Sequence, residues 1–456
     1  MGSELSATLQ PLDTEAAETQ GDYPAAGYAW YVVGVLYLAY VLSFVDRQIL
    51  AFMVGPIRAD LGISDFQFSL VHGLAFVIFY SVLGIPIARL ADRSSRRTIV
   101  SLGVGLWSVM TALCGLANTF THLFLARLGV GVGEASLSPS AISLIADYFP
   151  REKRTLPINI YSAGVHGGAG LANIFGGLIV GATLAGGTRH IAVLGEMHPW
   201  QLAFLIVGLP GLAVSLLMST VREPARREKR RAGGAVKFSE TLQYLKRHWL
   251  PYASMMLGAG FATLASYGAF SWVPATYARV YGWSSAQIGL WFGLITIVCG
   301  TGGLLLSGMI TGIMTRKGRP ASHLGMMAVC MAGAVPSAAL MMAVHNPYRT
   351  LLCLSFLVFF MSAPIGLVQA ALQAVTPNEM RAQMLAIYLL VATIVGGGLG
   401  PSAVAGVTDY YFRDGASVGT SIAIVAAVAA ALSVFVLSLG ANAYRHMVHT
   451  VQGDGK

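Results

Sequence analysis

Charge is scarce in this chain. Only 11% of its 456 residues are Asp, Glu, Lys or Arg, where a soluble domain carries roughly 25%. A chain that is 55% hydrophobic cannot cover itself with a solvated surface, which excludes an ordinary soluble globular protein. Regular apolar–polar alternation is also missing, which excludes the strands of a membrane barrel. Cysteine is limited to Cys114, Cys299, Cys330 and Cys353, all within apolar runs. Their spacing suits neither a disulfide framework nor a zinc site, so they read as small apolar packers. No His-Glu-x-x-His or Gly-x-Ser-x-Gly occurs, and no nucleophile–base pair stands out. An enzyme is therefore not expected, nor a cofactor or metal. The formal charge of +9 does not speak for nucleic acid, because the basic residues lie between the apolar runs, where orientation signals sit.

Long apolar runs are what the chain has in their place. A helix needs about 20 apolar residues to cross a bilayer. Twelve such segments are expected, near 28–54, 66–90, 98–117, 121–146, 155–184, 200–220, 250–279, 285–314, 321–344, 348–375, 382–408 and 417–442. The fold class is an all-α membrane protein. Its parts are a polar tail (1–25), a six-helix bundle (26–220), a basic loop (221–249), a second six-helix bundle (250–442) and a second tail (443–456). The first tail is acidic (Asp13, Glu15, Glu18, Asp22) and lacks the pattern of a secretory signal. "MGSELS" fits a myristoylation pattern, but one short enough to arise by chance.

Lys and Arg set the orientation. Arg89, Arg93, Arg96, Arg97, Arg151, Lys153, Arg154, Arg316, Lys317, Arg319 and Arg381 fall on one side, with the basic middle loop. Only Arg58, Arg189, Arg279, Arg349 and Arg413 fall on the other. The crowded side is expected to be cytoplasmic, with both termini there. Internal similarity divides the chain in two. "PREKR" at 150–154 returns as "PNEMR" at 377–381, and Gln67, Leu70, Gly73 and Leu74 match Gln287, Leu290, Gly293 and Leu294. Two six-helix halves joined by a basic loop resemble the major facilitator plan, whose substrate site lies at the midplane between parallel halves.

"ARLADRSSRRTIV" at 88–100 resembles that family's loop between helices 2 and 3. Asp92, Arg93, Arg96 and Arg97 match, while Ala88 and Ser95 stand where the pattern has glycines. Such a carboxylate can cap a neighbouring helix, and the guanidinium groups can pair with Asp147 and Glu152 on the next loop. These six residues form a candidate conformational latch, whose contacts would break when the cytoplasmic side opens. A loop that only sets topology is the plainer alternative.

The sharpest signal is "RLGVGVGEAS" at 127–136, which puts Arg127 and Glu134 inside an apolar helix. Seven residues are nearly two helical turns, so both side chains face the same way. At ~1.5 Å per residue, Arg127 is roughly 9 Å deep and Glu134 about 10 Å deeper, near the midplane. Helix 1 carries Asp46 at a depth like that of Arg127, so a pair between them is geometrically plausible. Adjacent Arg47 must then point elsewhere, toward a central cavity. Charges in mid-membrane cost several kcal/mol or more unless paired or hydrated, and by default they mark a pathway. Glu134 and Asp46 are candidates for proton coupling, and Arg127 and Arg47 for binding substrate; a structural ion-pair network is the alternative. Gly129, Gly131 and Gly133 suit close helix packing. His72 and His166 suit hydrogen-bonded structure better than a relay. The methionines of the second half suit core packing better than a lipid-facing wall.

"VDRQIL", "ADRSSRR" and "ARLGVGVGEASLSPSAISLIADYFP" together resemble the spinster family of lipid transporters, and "VREP" at 221–224 suits it too. The resemblance lies mainly in the first half. It implies movement of lysolipids or sphingoid phosphates, gated or driven by protons. The helix 1 acid and the helix 4 glutamate would be the protonation sites, and Arg127 would meet the phosphate. The expected partners are then a lipid-like or anionic small molecule, protons and the bilayer, with a single copy sufficient. A proton-coupled symporter or antiporter of a small organic anion is the alternative, and a substrate-sensing receptor a further one.

Overall fold

The protein is described by a computed structural model covering residues 23–150, 153–192, 194–226 and 237–453. Among them, eleven helices are long and apolar enough to cross a membrane. In the first half these are α1 (Ala26–Phe52), α2 (Asp65–Ala91), α3 (Arg96–Cys114), α4 (Phe120–Tyr148), α5 (Thr155–Gly186) and α6 (Pro199–Ser219). The second half begins with α7 (Trp249–Tyr281), whose 33 residues are long enough to span but less apolar than the rest. It continues with α8 (Ser285–Arg316), α9 (Ser322–Ala343), α10 (Pro347–Val375), α11 (Arg381–Phe412) and α12 (Val418–Gly453).

The ends of the elements differ from the sequence reading. A helix, Phe238–Arg247, occupies the middle basic loop just before α7. The second tail was placed at 443–456, yet α12 continues to Gly453, because no glycine or proline interrupts "ANAYRHMVHTVQ". Between α5 and α6 two short strands, Arg189–Ile191 and Gly195–Met197, form a hairpin. The helix 4 segment is itself broken, with one helix ending at Glu134 and the next starting at Leu137.

The internal repeat is realised in the caps. Ser64 accepts from the Gln67 amide at the start of α2, and Ser284 accepts from the Gln287 amide at the start of α8. An N-cap of this kind satisfies a helix-end donor that lacks an intrahelical partner. Gly73 and Gly293, the matched glycines, do matched work. A Cβ on Gly73 would sit 2.5 Å from the Gly397 carbonyl oxygen of α11, and one on Gly293 would sit 2.6 Å from that of Gly170 in α5. Small residues let helix backbones approach where bulk is not tolerated.

Both halves therefore touch through glycine faces, α2 on α11 and α5 on α8. Gly177 and Gly289 continue the second seam. Wide π-type turns lie on three of these four helices, at Leu70–Leu74, Thr296–Gly300 and Thr393–Leu399. Such turns collect at functional positions. Polar contacts join the halves at the end away from the basic loops. Arg279 of α7 donates two 2.7 Å bonds to buried Asp65, which Arg58 also approaches at 2.9 Å. Nearby the Phe66 amide donates to Asp409 at 2.7 Å, and Ser69 meets Ser402 at 3.1 Å.

Candidate transport site

Two ion pairs join α1 to α4. Arg127 donates from Nη1 to Asp46 Oδ2 at 3.2 Å. Both are almost wholly buried, with Arg127 only 1% exposed. The second pair links Arg47 to Glu134. Arg47 Nε lies 2.7 Å from Glu134 Oε2, and Nη2 bonds to the same oxygen. Its guanidinium lies 4.5 Å from the centre of the Phe76 ring, 5.3 Å from that of Tyr80 and 5.5 Å from that of Phe44. Aromatic faces at such distances attract a cation.

The backbone explains why two neighbouring residues on α1 reach two different targets. Adjacent helical side chains diverge by about 100°, so Asp46 and Arg47 turn to different partners. Residues seven apart on α4 share a face, so they present an arginine and a glutamate one above the other. The two helices are thus matched in alternating sign. Depth alone led to Arg127 as the neighbour of Asp46, and those two do meet. Glu134 takes Arg47 rather than Arg127, which Asp46 already holds.

Glycines bring the walls in. A Cβ on Gly131 would sit 2.6 Å from the Phe76 carbonyl oxygen, so α2 lies directly on α4 and carries Phe76 under both guanidinium groups. One on Gly133 would sit 2.7 Å from the Gly103 oxygen and the Trp107 nitrogen of α3. The reading of these glycines as packing residues fits this geometry. Several buried polar atoms lack a hydrogen-bond partner here, among them Asp46 Oδ1, Arg127 Nε, Glu134 Oε1 and His72 Nδ1. A cluster left with such free capacity can bind water, protons or a ligand's polar group.

Residues that the sequence reading did not single out complete the site. Tyr40 stacks on Tyr161 with ring centres 4.8 Å apart and meets Phe44 edge-on at 5.0 Å. Tyr267 of α7 comes within electrostatic range of Arg47 and Glu134, the second half's contribution to the cluster. An aromatic in an apolar helix carries no distinguishing mark in the sequence. His166 lies elsewhere, against Gly300 on the α5–α8 seam.

At the basic end, Arg96 is buried and carries a network. It bonds to Asp147, donates to Glu223 at 2.9 Å and to the Ser143 hydroxyl at 2.8 Å. Glu223 also accepts from the Arg97 amide at 2.8 Å and from Ser95 at 3.0 Å. Burial pushes the Glu223 carboxyl up, but the Arg97 amide and the Arg96 guanidinium outweigh it and hold the group below its usual range. Arg97 reaches the Ser219 and Val221 carbonyls. Every group named here belongs to the first bundle or to the start of the loop that follows it. The network fastens α3, α4 and the chain after α6 together, and its Arg96–Asp147 pair is one of the contacts that the latch reading named. Glu223, in the quoted "VREP", is the acid that reasoning missed. Arg93 is exposed at its helix end. Glu152 lies outside the described residues, as does the side chain of Asp92.

Residues 36–401 match the Major Facilitator Superfamily. The chain belongs to that superfamily. A crystal structure of a bacterial homolog of the human lysosomal transporter spinster, in an inward-facing and unoccupied conformation, is similar with a TM-score of 0.77 and 27% identity, covering 94% of this chain and 99% of that one. An MFS-type efflux pump of Mycolicibacterium smegmatis is 29% identical over 89% of this chain and 89% of its own. The sphingosine-1-phosphate transporter SPNS2 of Danio rerio is 28% identical over 66% of this chain and 60% of its own length. This membrane transporter therefore has the major facilitator fold and is similar to spinster proteins, as its charged motifs led one to expect.

Proposed function

We propose that the chain moves a lipid-like anionic amphiphile across a bacterial inner membrane by alternating access, with proton movement coupled to the step. The observation that carries this reading is the Arg47–Glu134 pair. Its arginine is 22% exposed while its carboxylate is buried, at the centre of a bundle whose halves are fastened at one end. An anionic head group can compete with Glu134 for Arg47, and protonation of Glu134 removes the competitor. Substrate and proton binding then favour each other, which is thermodynamic coupling. Phe44, Phe76, Tyr80 and Tyr267 supply the apolar walls that an amphiphile needs.

Several features support an arrangement open toward the cytoplasm. The Asp65–Arg279 contact closes the end away from the basic loops, and the similar crystal structure is inward-facing. The excess of Lys and Arg argues that the basic end, with both chain termini, is cytoplasmic. One copy of the chain contains every group invoked. Head-group chemistry follows from the relative that transports sphingosine-1-phosphate.

The test is reconstitution in liposomes with a panel of lysolipids and sphingoid phosphates, with and without a pH gradient. Gradient-dependent movement of at least one amphiphile is expected. Movement only of short organic acids would replace lipid with a small anion as substrate. Movement of lipid at equal rates at every gradient would remove the proton.

A further inference from the structure

A second cavity lies far from this site, at the basic end of the second half. The Phe238–Arg247 helix turns into α7 at His248, beside the last turns of α12. Between them is an open cavity of about 600 Å³, lined among others by Tyr244, Arg247, His248, Trp249, His446 and Thr450. Among the described residues, Arg247, His248 and His446 are the titratable or cationic groups of its wall, with Tyr244, and no Asp or Glu joins them. Tyr244 holds His248 in place, with ring centres 4.7 Å apart, and is itself anchored by its hydroxyl to the Val375 carbonyl at 3.3 Å.

The surroundings are those of a bilayer surface. Trp249 is 62% exposed at the mouth, and tryptophan is enriched at head-group level. Phe238, Leu242 and Leu245 recur at helical spacing along the short helix, and the first two are exposed. Lys237, Lys246 and Arg247 supply its positive charge. An apolar stripe with basic flanks describes a helix lying in the membrane interface. A free anion would need only the cations. The exposed indole and the Leu250–Met447 wall beside them suit a molecule with an acyl chain.

We propose that this cavity binds the phosphate diester of an anionic glycerophospholipid from the leaflet on the basic side. The phosphate would take the Arg247 fork, with His248, His446 and the Thr450 hydroxyl completing its contacts. Its chains would leave past Trp249. Basic pockets between membrane helices recognise lipid head groups in this way. The proposal rests on the reading of the basic end as a membrane surface, but not on the transported substrate.

The experiment uses the full chain, delipidated and placed in nanodiscs of phosphatidylcholine with or without phosphatidylglycerol. Bound lipid is counted by native mass spectrometry after release into detergent. Wild type should retain phosphatidylglycerol in preference to phosphatidylcholine. Arg247→Gln should weaken that retention roughly fivefold, the worth of one basic residue at an anionic surface, and His446→Gln should weaken it less. Both variants should elute as folded monodisperse protein, since neither side chain is buried in the core. Trp249→Ala should lose the lipid yet leave any effect of inorganic phosphate on the melting temperature unchanged. Equal retention of both lipids by wild type, or undiminished retention in Arg247→Gln, would overturn the proposal. If inorganic phosphate stabilises the protein as well as phosphatidylglycerol does and Trp249→Ala is silent, the ligand is a free phosphate and the lipid assignment fails. None of these readouts involves transport, so failure here leaves the function above standing.

Discussion

The Asp46–Arg127 and Arg47–Glu134 pairs use the same two helices and the same chemistry, yet they have different surroundings. In the first, both partners are sealed off, with a single bond at 3.2 Å between them. In the second, the cation is partly open and faces three aromatic rings. A sealed pair has no outside competitor, and breaking it strands a charge. An open pair can exchange its partner. One turn of α1 therefore carries both a fixed charge contact and an exchangeable one, and only access separates them.

The most severe way to break this comparison is at the exchangeable carboxylate. Glu134→Gln should reduce gradient-driven transport to the level of empty liposomes while leaving the fold intact, because an amide is cheaper in lipid than an anion. If transport in that variant still responds to pH as in wild type, Asp46 becomes the coupling group and the two pairs exchange roles. Next in size is the sealed pair. Arg127→Ala should cost about 3–5 kcal/mol of stability by leaving Asp46 buried and unpaired, read as denaturant unfolding in detergent. Arg47→Ala also strands a buried carboxylate, Glu134, and the smaller loss expected of it rests on the 22% exposure of Arg47 letting water into the space it vacates. Equal losses would mean that exposure does not distinguish the pairs. Asp46→Leu combined with Arg127→Met should recover most of the stability, and its transport then reports whether the pair is only structural.

A gentler probe is Arg47→Lys. Arg47 reaches Glu134 through two nitrogens and stands over the Phe76 ring, and lysine offers a point charge without the fork. Affinity for a phosphate head group should fall while the pH response persists; an unchanged apparent affinity would remove Arg47 from substrate binding. The smallest effect belongs to the first half's basic end. Since the folded pKa of Glu223 is lowered, its contribution is full above the unfolded value of about 4.3 and fades as pH falls through the folded one. Glu223→Gln should therefore melt lower than wild type at neutral pH, and the difference should close on acidification. A gap that stays constant down to pH 3 would show that the carboxylate charge contributes nothing there.

The spans were legible because hydropathy measures them directly, and even the least apolar of them, α7, stood out as an apolar run. The meeting of Asp46 with Arg127 could be read because depth along a helix is simple arithmetic. What depth cannot give is rotation of one helix about its axis relative to another, and rotation decided that Glu134 would find Arg47. The aromatic wall was invisible for a related reason. Phe44, Phe76, Tyr80 and Tyr267 come from three helices, and each resembles any other lipid-facing ring in sequence. Glu223 was missed because it acts on Arg96, 127 residues away, from a segment that looked like a solvated loop.

The glycine seams have a mechanical consequence. Where Gly170 meets Gly293 and Gly177 meets Gly289, backbone lies against backbone, with Ile297 seated over Gly170 and Ile174 over Gly293. One backbone rests on another as a shaft rests in a plain bearing. Rolling of one half over the other then has to carry Ile174 and Ile297 across the glycines they cover. A single methyl would act as a brake: on Gly289 it would press to within 2.4 Å of the Asn173 carbonyl oxygen. The same bareness that makes the seam tight leaves it no room for added bulk.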